Sequence, residues 1–205
     1  MPSSSVILAS RSPRRESILK QIGIDFEIIP SNICEDAELN LGPRKFVQYW
    51  SEKKAKVISK KNKDKIVIGA DTIVYLNEKI LGKPKDKEES YNMLTNLSGK
   101  THKVLTGVSI AYKEKNILRT FSQMTKVTVR DIPKNDILYY IDNYYTLDKA
   151  GSYGIQDWSS VFISKINGCF YNVLGFPISK FYYKLNSMNL LNIYENNLNK
   201  KNKLL

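Results

Sequence analysis

The chain has 205 residues, of which 42% are hydrophobic and 25% charged, a balance that fits one globular domain with a core large enough to need no disulfide scaffold. No apolar run approaches the roughly 20 residues of a membrane span, and Met1 to Ala9 lack the regions of a signal peptide, so a soluble cytoplasmic protein is expected. The formal charge of +12 comes mostly from lysines scattered among Asn, Ile and Tyr, a mixture that a codon bias toward A and T produces without any binding surface.

Val6-Ile7-Leu8-Ala9 reads as a short buried strand. Ser10 to Pro13 is turn chemistry, and Ser12 before Pro13 reads as an N-cap with proline in the first helical position. The helix is expected from about Arg14 to Ile22, with Ile18, Leu19 and Ile22 on its apolar face and Gly23 as its stop. Phe26 to Ile29 reads as a strand. A loop with Cys34, Glu35, Asp36 and Glu38 leads to a helix near Pro43 to Lys60, whose apolar stripe is Phe46, Val47, Trp50, Val57 and Ile58. Ile66 to Ala70 is a second buried strand with Asp71 and Thr72 at its end, and Ile73 to Leu81 reads as a hairpin turning at Asn77-Glu78.

Asp86 opens a helix with Glu89 as its capping-box partner, and Ser98-Gly99 ends it. Val104 to Tyr112 and Ile117 to Val129 read as long antiparallel strands, Pro133 to Asn143 as a helix, Gly151 to Gly154 as a loop and Val161 to Ile166 as a strand. A last helix starts near Pro177 and passes Tyr183. The Lys- and Asn-rich stretch 186–205 reads as a tail with a disordered end, behind a domain spanning 1–185. Helices alternating with strands, some of them hairpins, predict an α/β fold on a mixed sheet.

Arginine is a sharper signal than lysine here. Arg11, Arg14 and Arg15 lie within five residues in a chain that otherwise prefers lysine, which points to a need for the planar guanidinium. Ser10 to Arg15 lies where a strand ends and a helix begins, and free N–H groups there favour an anion. The plainer alternative is a Ser-Pro cap with solvated arginines. Asp71, placed at a strand end, can hold Mg²⁺ or take a proton from water, or be a turn aspartate. Lys83 in Leu81-Gly82-Lys83-Pro84 is either presented to a phosphate or solvated. Lys54 lies in a lysine run on a helix and Glu35 in an acidic loop; taken alone, both patterns read as plain solvated residues.

The segment Leu147 to Gln156 holds two glycines that let backbone approach a ligand, and the Gln156 amide can pair with a base edge. Asp148 and Lys149 can instead pair with each other. His102 is the single histidine and reads as structural, so Ser-His chemistry is not expected. Cys34 and Cys169 fit no metal or redox spacing and read as buried or partly buried free thiols.

Taken in order, Ile7 to Arg15, Ile68-Gly69-Ala70-Asp71-Thr72, Leu81-Gly82-Lys83-Pro84, Leu97 to His102, Leu105-Thr106-Gly107 and Leu147 to Gln156 resemble the Maf family of nucleoside triphosphate pyrophosphatases, over about Val6 to Tyr183. The resemblance implies an inosine-triphosphatase-like α/β fold, with a cleft between two lobes. It implies hydrolysis of a nucleoside triphosphate to the monophosphate and pyrophosphate with a divalent cation, Mg²⁺ or Mn²⁺. It implies substrate binding by Ser10, Arg14, Arg15, Thr72 and Gln156, of which Arg14, Thr72 and Gln156 match positions tied to substrate choice. It implies a catalytic cluster of Glu35, Lys54, Asp71 and Lys83, with Asp71 matching the general base and Glu35 with Asp71 as candidate metal ligands.

The run Asp148 to Gln156 resembles the branch acting on dTTP and UTP, not the one acting on 7-methyl-GTP. Asp157-Trp158 departs from the family's glycine-rich sequence, a bulky acidic pair expected beside the base pocket. That departure leaves room for modified nucleotides. The family also suggests a homodimer and carries a link to septum formation. A 7-methyl-GTP-type pyrophosphatase is one alternative, and a basic non-catalytic protein binding nucleic acid or a division partner is the other. Glu35 and Asp71 speak against it, because an anion binder has no use for acids at its site.

Overall fold

A computed structural model describes residues 5–35 and 39–190. Asp36, Glu38 and residues 191–205 of the expected tail lie outside the described residues. In chain order the elements are β1 (Val6–Leu8), α1 (Pro13–Gln21), β2 (Phe26–Ile28), α2 (Pro43–Ser59), β3 (Ile66–Leu76), β4 (Lys79–Leu81) and α3 (Lys87–Leu97). They continue as β5 (Thr101–Tyr112), β6 (Ile117–Val129), α4 (Lys134–Asn143), β7 (Ile163–Asn167), the one-turn α5 (Phe170–Val173) and α6 (Ile178–Asn186). The mixed α/β fold is therefore as the pattern predicts.

Local chemistry explains most boundaries. Pro13 opens α1 and the Ser12 hydroxyl accepts the Arg15 N–H at 3.5 Å, a loose cap. The α3 cap is tighter: Asp86 Oδ1 accepts from Glu89 N at 2.7 Å, while Glu89 Oε2 reaches back to the N–H of Lys85 instead of Asp86. Asn77 and Glu78 both have positive φ, 47° and 61°, as a two-residue hairpin turn requires.

Four expectations are corrected. Val57 is 36% exposed, and fully buried Ala55 takes its place in the apolar stripe of α2. Val161 and Phe162 belong to a 3-10 helix, Trp158–Phe162, that Asp157 caps, so β7 starts two residues late. Cys34 is exposed and only Cys169 is partly buried. Asp71 and Thr72 do not end β3: they lie in its middle, because β5 pairs with β3 continuously from Ile66 to Tyr75.

The sheet order is β2-β1-β3-β5-β6-β7, with β4 beside β3. Strands β1, β2 and β3 pair in parallel, and all other pairs are antiparallel. One consequence positions the site. The first edge of β3 is taken by β5 along nearly its whole length. The second edge is shared: β1 pairs with Ile66 to Ile68, and β4 pairs with Val74 to Leu76. Between them β3 has an open stretch, and Asp71 and Thr72 sit in it.

The long strands contribute to four core clusters, two of which hold even-numbered side chains of β3. Ile66, Ile68 and Ala70 of β3 pack with α1 and α6 residues such as Leu19 and Phe181, whereas Val74 and Leu76 pack with Leu94, Leu97 and Tyr140 from α3 and α4. The cleft takes lining from both, Leu174 from the first and Val74 and Tyr153 from the second.

Candidate active site

Successive strand residues point to opposite faces, so Asp71 and Thr72 face apart across the open edge of β3. The cleft of about 740 Å³ reaches both, a size suited to a nucleotide.

On the Asp71 face lies α2. It can come close because two glycines lie beneath it. A Cβ on Gly69 would stand 2.3 Å from the Ser51 carbonyl oxygen, and one on Gly107, directly opposite Asp71, would stand 2.1 Å from the Val47 carbonyl oxygen. The close crossing delivers Lys54 to Asp71. Lys54 Nζ is 2.8 Å from Asp71 Oδ1 and 2.8 Å from Glu35 Oε1, and it also donates to the Ala70 carbonyl at 3.4 Å. The second oxygen, Asp71 Oδ2, is buried and has no hydrogen-bond partner among the described residues. Burial first, then the charge of Asp71, raises the Glu35 pKa, against the pull of Lys54. The Glu35 side chain is 42% exposed, so solvent tempers that rise.

On the Thr72 face the hub is Arg15. Its Nη1 donates to Ser10 Oγ at 2.9 Å, Nη2 to Thr72 Oγ1 at 3.0 Å and Nε to the Gly175 carbonyl at 3.0 Å. Thr72 Oγ1 also lies 3.0 Å from Thr106 Oγ1, which donates to the buried Asn172 carbonyl at 3.1 Å. Desolvation lowers the Arg15 pKa, while Asp71 opposes it. Arg14 is engaged elsewhere: Nη1 meets Asp148 Oδ2 at 2.7 Å and Nη2 donates to the Asp148 carbonyl at 3.2 Å. Asp148 Oδ1 in turn meets Lys149 Nζ at 2.9 Å. Lys83 lines the cleft and stays open to solvent; its partial enclosure, then the charge of Arg15, lowers its pKa.

The cleft thus gathers Ser10, Arg14, Arg15, Glu35, Lys54, Asp71, Thr72 and Lys83. Gln156 is exposed and is not part of the lining, although its neighbours Gly154 and Ile155 are. Asp157 and Trp158 are not part of it either. Asp157 accepts from Tyr140 Oη at 3.1 Å and from Ser159 Oγ at 2.7 Å, and Trp158 stacks on Tyr140 and Tyr144, so the pair serves packing.

Sequence reasoning quoted Thr106 and Gly107 in a motif without giving them a role, and it missed Asp148 as the Arg14 partner and the Gly175 carbonyl. Only Gly107 carried a signal, a glycine inside a strand, which marks close backbone approach.

Lys54 binds one oxygen each of Glu35 and Asp71, and the orphaned Asp71 Oδ2 leaves an oxygen donor free. Two carboxylates with a free oxygen suit a hard divalent cation whose remaining ligands are water and phosphate.

Known proteins can be set beside this geometry. The dTTP/UTP pyrophosphatase of Bacillus pumilus (strain SAFR-032) is 46% identical over 177 residues, covering 86% of this chain and 93% of that protein. The dTTP/UTP pyrophosphatase of Thermosipho africanus (strain TCF52B) is 43% identical over 195 residues, covering 95% and 99%. Among solved structures, a HAM1 protein from Coxiella burnetii overlaps 63% of this chain and 75% of that one, at 10% identity and a TM-score of 0.44. The family model described as Maf-like protein matches residues 5–188, a span that contains every lining residue from Ala9 to Gly175. The chain therefore belongs to the Maf-like protein family, and its cleft lies wholly inside the part that makes it a member.

Proposed function

We propose that the protein is a cytoplasmic nucleoside triphosphate pyrophosphatase that hydrolyses dTTP and UTP to the monophosphate and pyrophosphate. The observation that carries this reading is the pairing of a cationic cleft with a buried, unpartnered carboxylate oxygen, Asp71 Oδ2, at the open edge of β3. The names of the relatives at 46% and 43% identity support the pyrimidine substrates.

The triphosphate brings about four negative charges, and Lys54, Lys83 and Arg15 face them. Arg15 also holds Ser10 and Thr72 in place, so its guanidinium both binds and organises. Arg14 exchanges its Asp148 partner for a phosphate oxygen. Asp71 Oδ1 is tied to Lys54, which leaves Oδ2 to accept the proton of the attacking water. Water oxygen bonds to the α-phosphorus, the bond from that phosphorus to the α,β-bridging oxygen breaks, and pyrophosphate leaves with the bridging oxygen. With Asp71 as the base, Glu35 is the residue that would hold a divalent cation, Mg²⁺ or Mn²⁺, which would offset charge on the phosphate oxygens; Asp71 is its ligand only if another group takes the proton. Gln156, beside the lining, is the proposed reader of the base edge.

The test is to incubate the protein with dTTP, UTP, CTP, GTP and 7-methyl-GTP, with Mg²⁺ or Mn²⁺, and to measure pyrophosphate. Release from dTTP and UTP above the others is expected; release from none refutes the reading.

A further inference from the structure

Two aromatic rings line the cleft among the described residues, Phe46 and Tyr153. Phe46 is on α2, two turns before Lys54, on the charged side. Tyr153 follows two residues in left-handed backbone, Gly151 at φ 69° and Ser152 at φ 65°. Glycine tolerates that conformation and serine resists it, so the loop needs restraint from its surroundings.

Part of that restraint is visible on Gly151, whose N–H donates to the Gly82 carbonyl at 2.9 Å. Ser152 adds its N–H to the Lys149 carbonyl at 3.1 Å and its hydroxyl to Met93 Sδ at 3.4 Å, and Tyr153 adds a further tie. Its hydroxyl lies 2.7 Å from His102 Nε2, and the two rings meet edge to face with centroids 5.4 Å apart. His102 is the single histidine of the chain and is 1% exposed in β5. Its Nδ1 is buried and has no partner among the described residues. In either tautomer one ring nitrogen is left unpaired, and burial of such a group is unfavourable. An apolar side chain would fill the space without that penalty. The effect specific to histidine is a fixed Tyr153 hydroxyl.

We propose that Tyr153 is the surface on which the nucleoside end of the substrate packs, and that His102 is a positioning residue that fixes Tyr153 through its hydroxyl. The inference rests on the nucleotide reading of the cleft. Phosphates call for charge, which Arg15, Lys54 and Lys83 supply. A pyrimidine and its sugar call for neutral contacts, and Tyr153, a core residue that leaves 8% of its surface exposed, lines the cleft with Val74, Val104, Ala150 and Gly154.

The experiment uses the wild-type protein with its one imidazole labelled with ¹⁵N. The probes are dTMP and, separately, inorganic pyrophosphate, each at a concentration that inhibits dTTP turnover. The imidazole signal is expected to shift with dTMP and to stay in place with pyrophosphate. Steady-state kinetics supply the second readout. His102→Phe raises the KM for dTTP about tenfold with kcat within about twofold, as loss of one hydrogen bond would. Tyr153→Phe, which keeps the ring, raises it equally, and the double variant raises it no further. An imidazole signal unmoved by inhibitory dTMP overturns the inference, and so does a His102→Phe enzyme that loses kcat at unchanged KM. A wild type inactive on every nucleotide refutes the proposed reaction; an active wild type with an unmoved signal refutes this inference alone.

Discussion

At Asp71 the two carboxylate oxygens differ in surroundings: Oδ1 is held by Lys54 at 2.8 Å, and Oδ2 is buried with no hydrogen-bond partner among the described residues. Asp71→Asn keeps the shape and removes the charge. It is expected to lower kcat by about a hundredfold to ten-thousandfold while circular dichroism stays native; near-normal kcat would remove Asp71 from the mechanism. Gln156 carries a softer expectation. Gln156→Glu should change the ranking of nucleotides and leave pyrophosphate inhibition alone, and an unchanged ranking would take base reading away from this position. His102 gives a stability prediction. Desolvation pulls its pKa from 6.5 down to about 4. A depressed folded pKa means that the unfolded chain takes up the proton first as pH falls. Stability is therefore full above pH 6.5, declines as the pH drops toward 4 and levels off below, a loss of about 3 kcal/mol. Denaturant melts between pH 7 and 4 should show this slope in the wild type and a shallower one in His102→Phe.

The elements explain how these residues meet. Helix α2 carries Lys54 to Asp71 only because β3 and β5 present Gly69 and Gly107 beneath it. Gly107→Ala puts a methyl group against the Val47 carbonyl, where backbone must shift. The expected outcome is a loss of about 1 to 3 kcal/mol in a denaturant melt, with a fall in kcat beyond what unfolding explains. Unchanged melting and kcat would mean that α2 does not need this approach. Capping and turns were the most legible part of the chain. Ser12-Pro13, the Asp86 cap and Asn77-Glu78 act through neighbours in sequence, and the structure bears out all three, with Glu89 returning to the Lys85 N–H and not to Asp86. The placement of Asp71 was less legible. The apolar run stops at Ala70, yet pairing with β5 carries β3 on from Asp71 to Tyr75, and pairing with β4 adds Leu76. Val161 and Phe162 fail for a related reason: β-branched and aromatic residues suit a strand, but the Asp157 cap and the packing of Phe162 on Tyr140 and Trp158 fix a 3-10 turn.

For the whole molecule, charge and cleft work together. Arg11, Arg14, Arg15, Lys54, Lys83 and Lys149 line the cleft against Glu35, Asp71 and Asp148, within a chain of formal charge +12. An anionic substrate is drawn to such a site, and salt screens the attraction over about 10 Å at 0.1 M. The kcat/KM for dTTP should fall as ionic strength rises, with kcat nearly constant; a salt-independent kcat/KM would leave the net charge without a part in capture. By itself the sequence determined the mixed α/β class, most element boundaries and the residue types of the site, because periodicity, caps and ordered motifs are local signals. Only the tertiary structure decided which groups meet. The gap between β1 and β4 that opens β3 at Asp71, the Arg14–Asp148 and Arg15–Gly175 contacts, and the Tyr153–His102 pair join segments from 51 to 160 residues apart. Contacts of that span arise from sheet order and packing, and neither leaves a periodic trace along the chain.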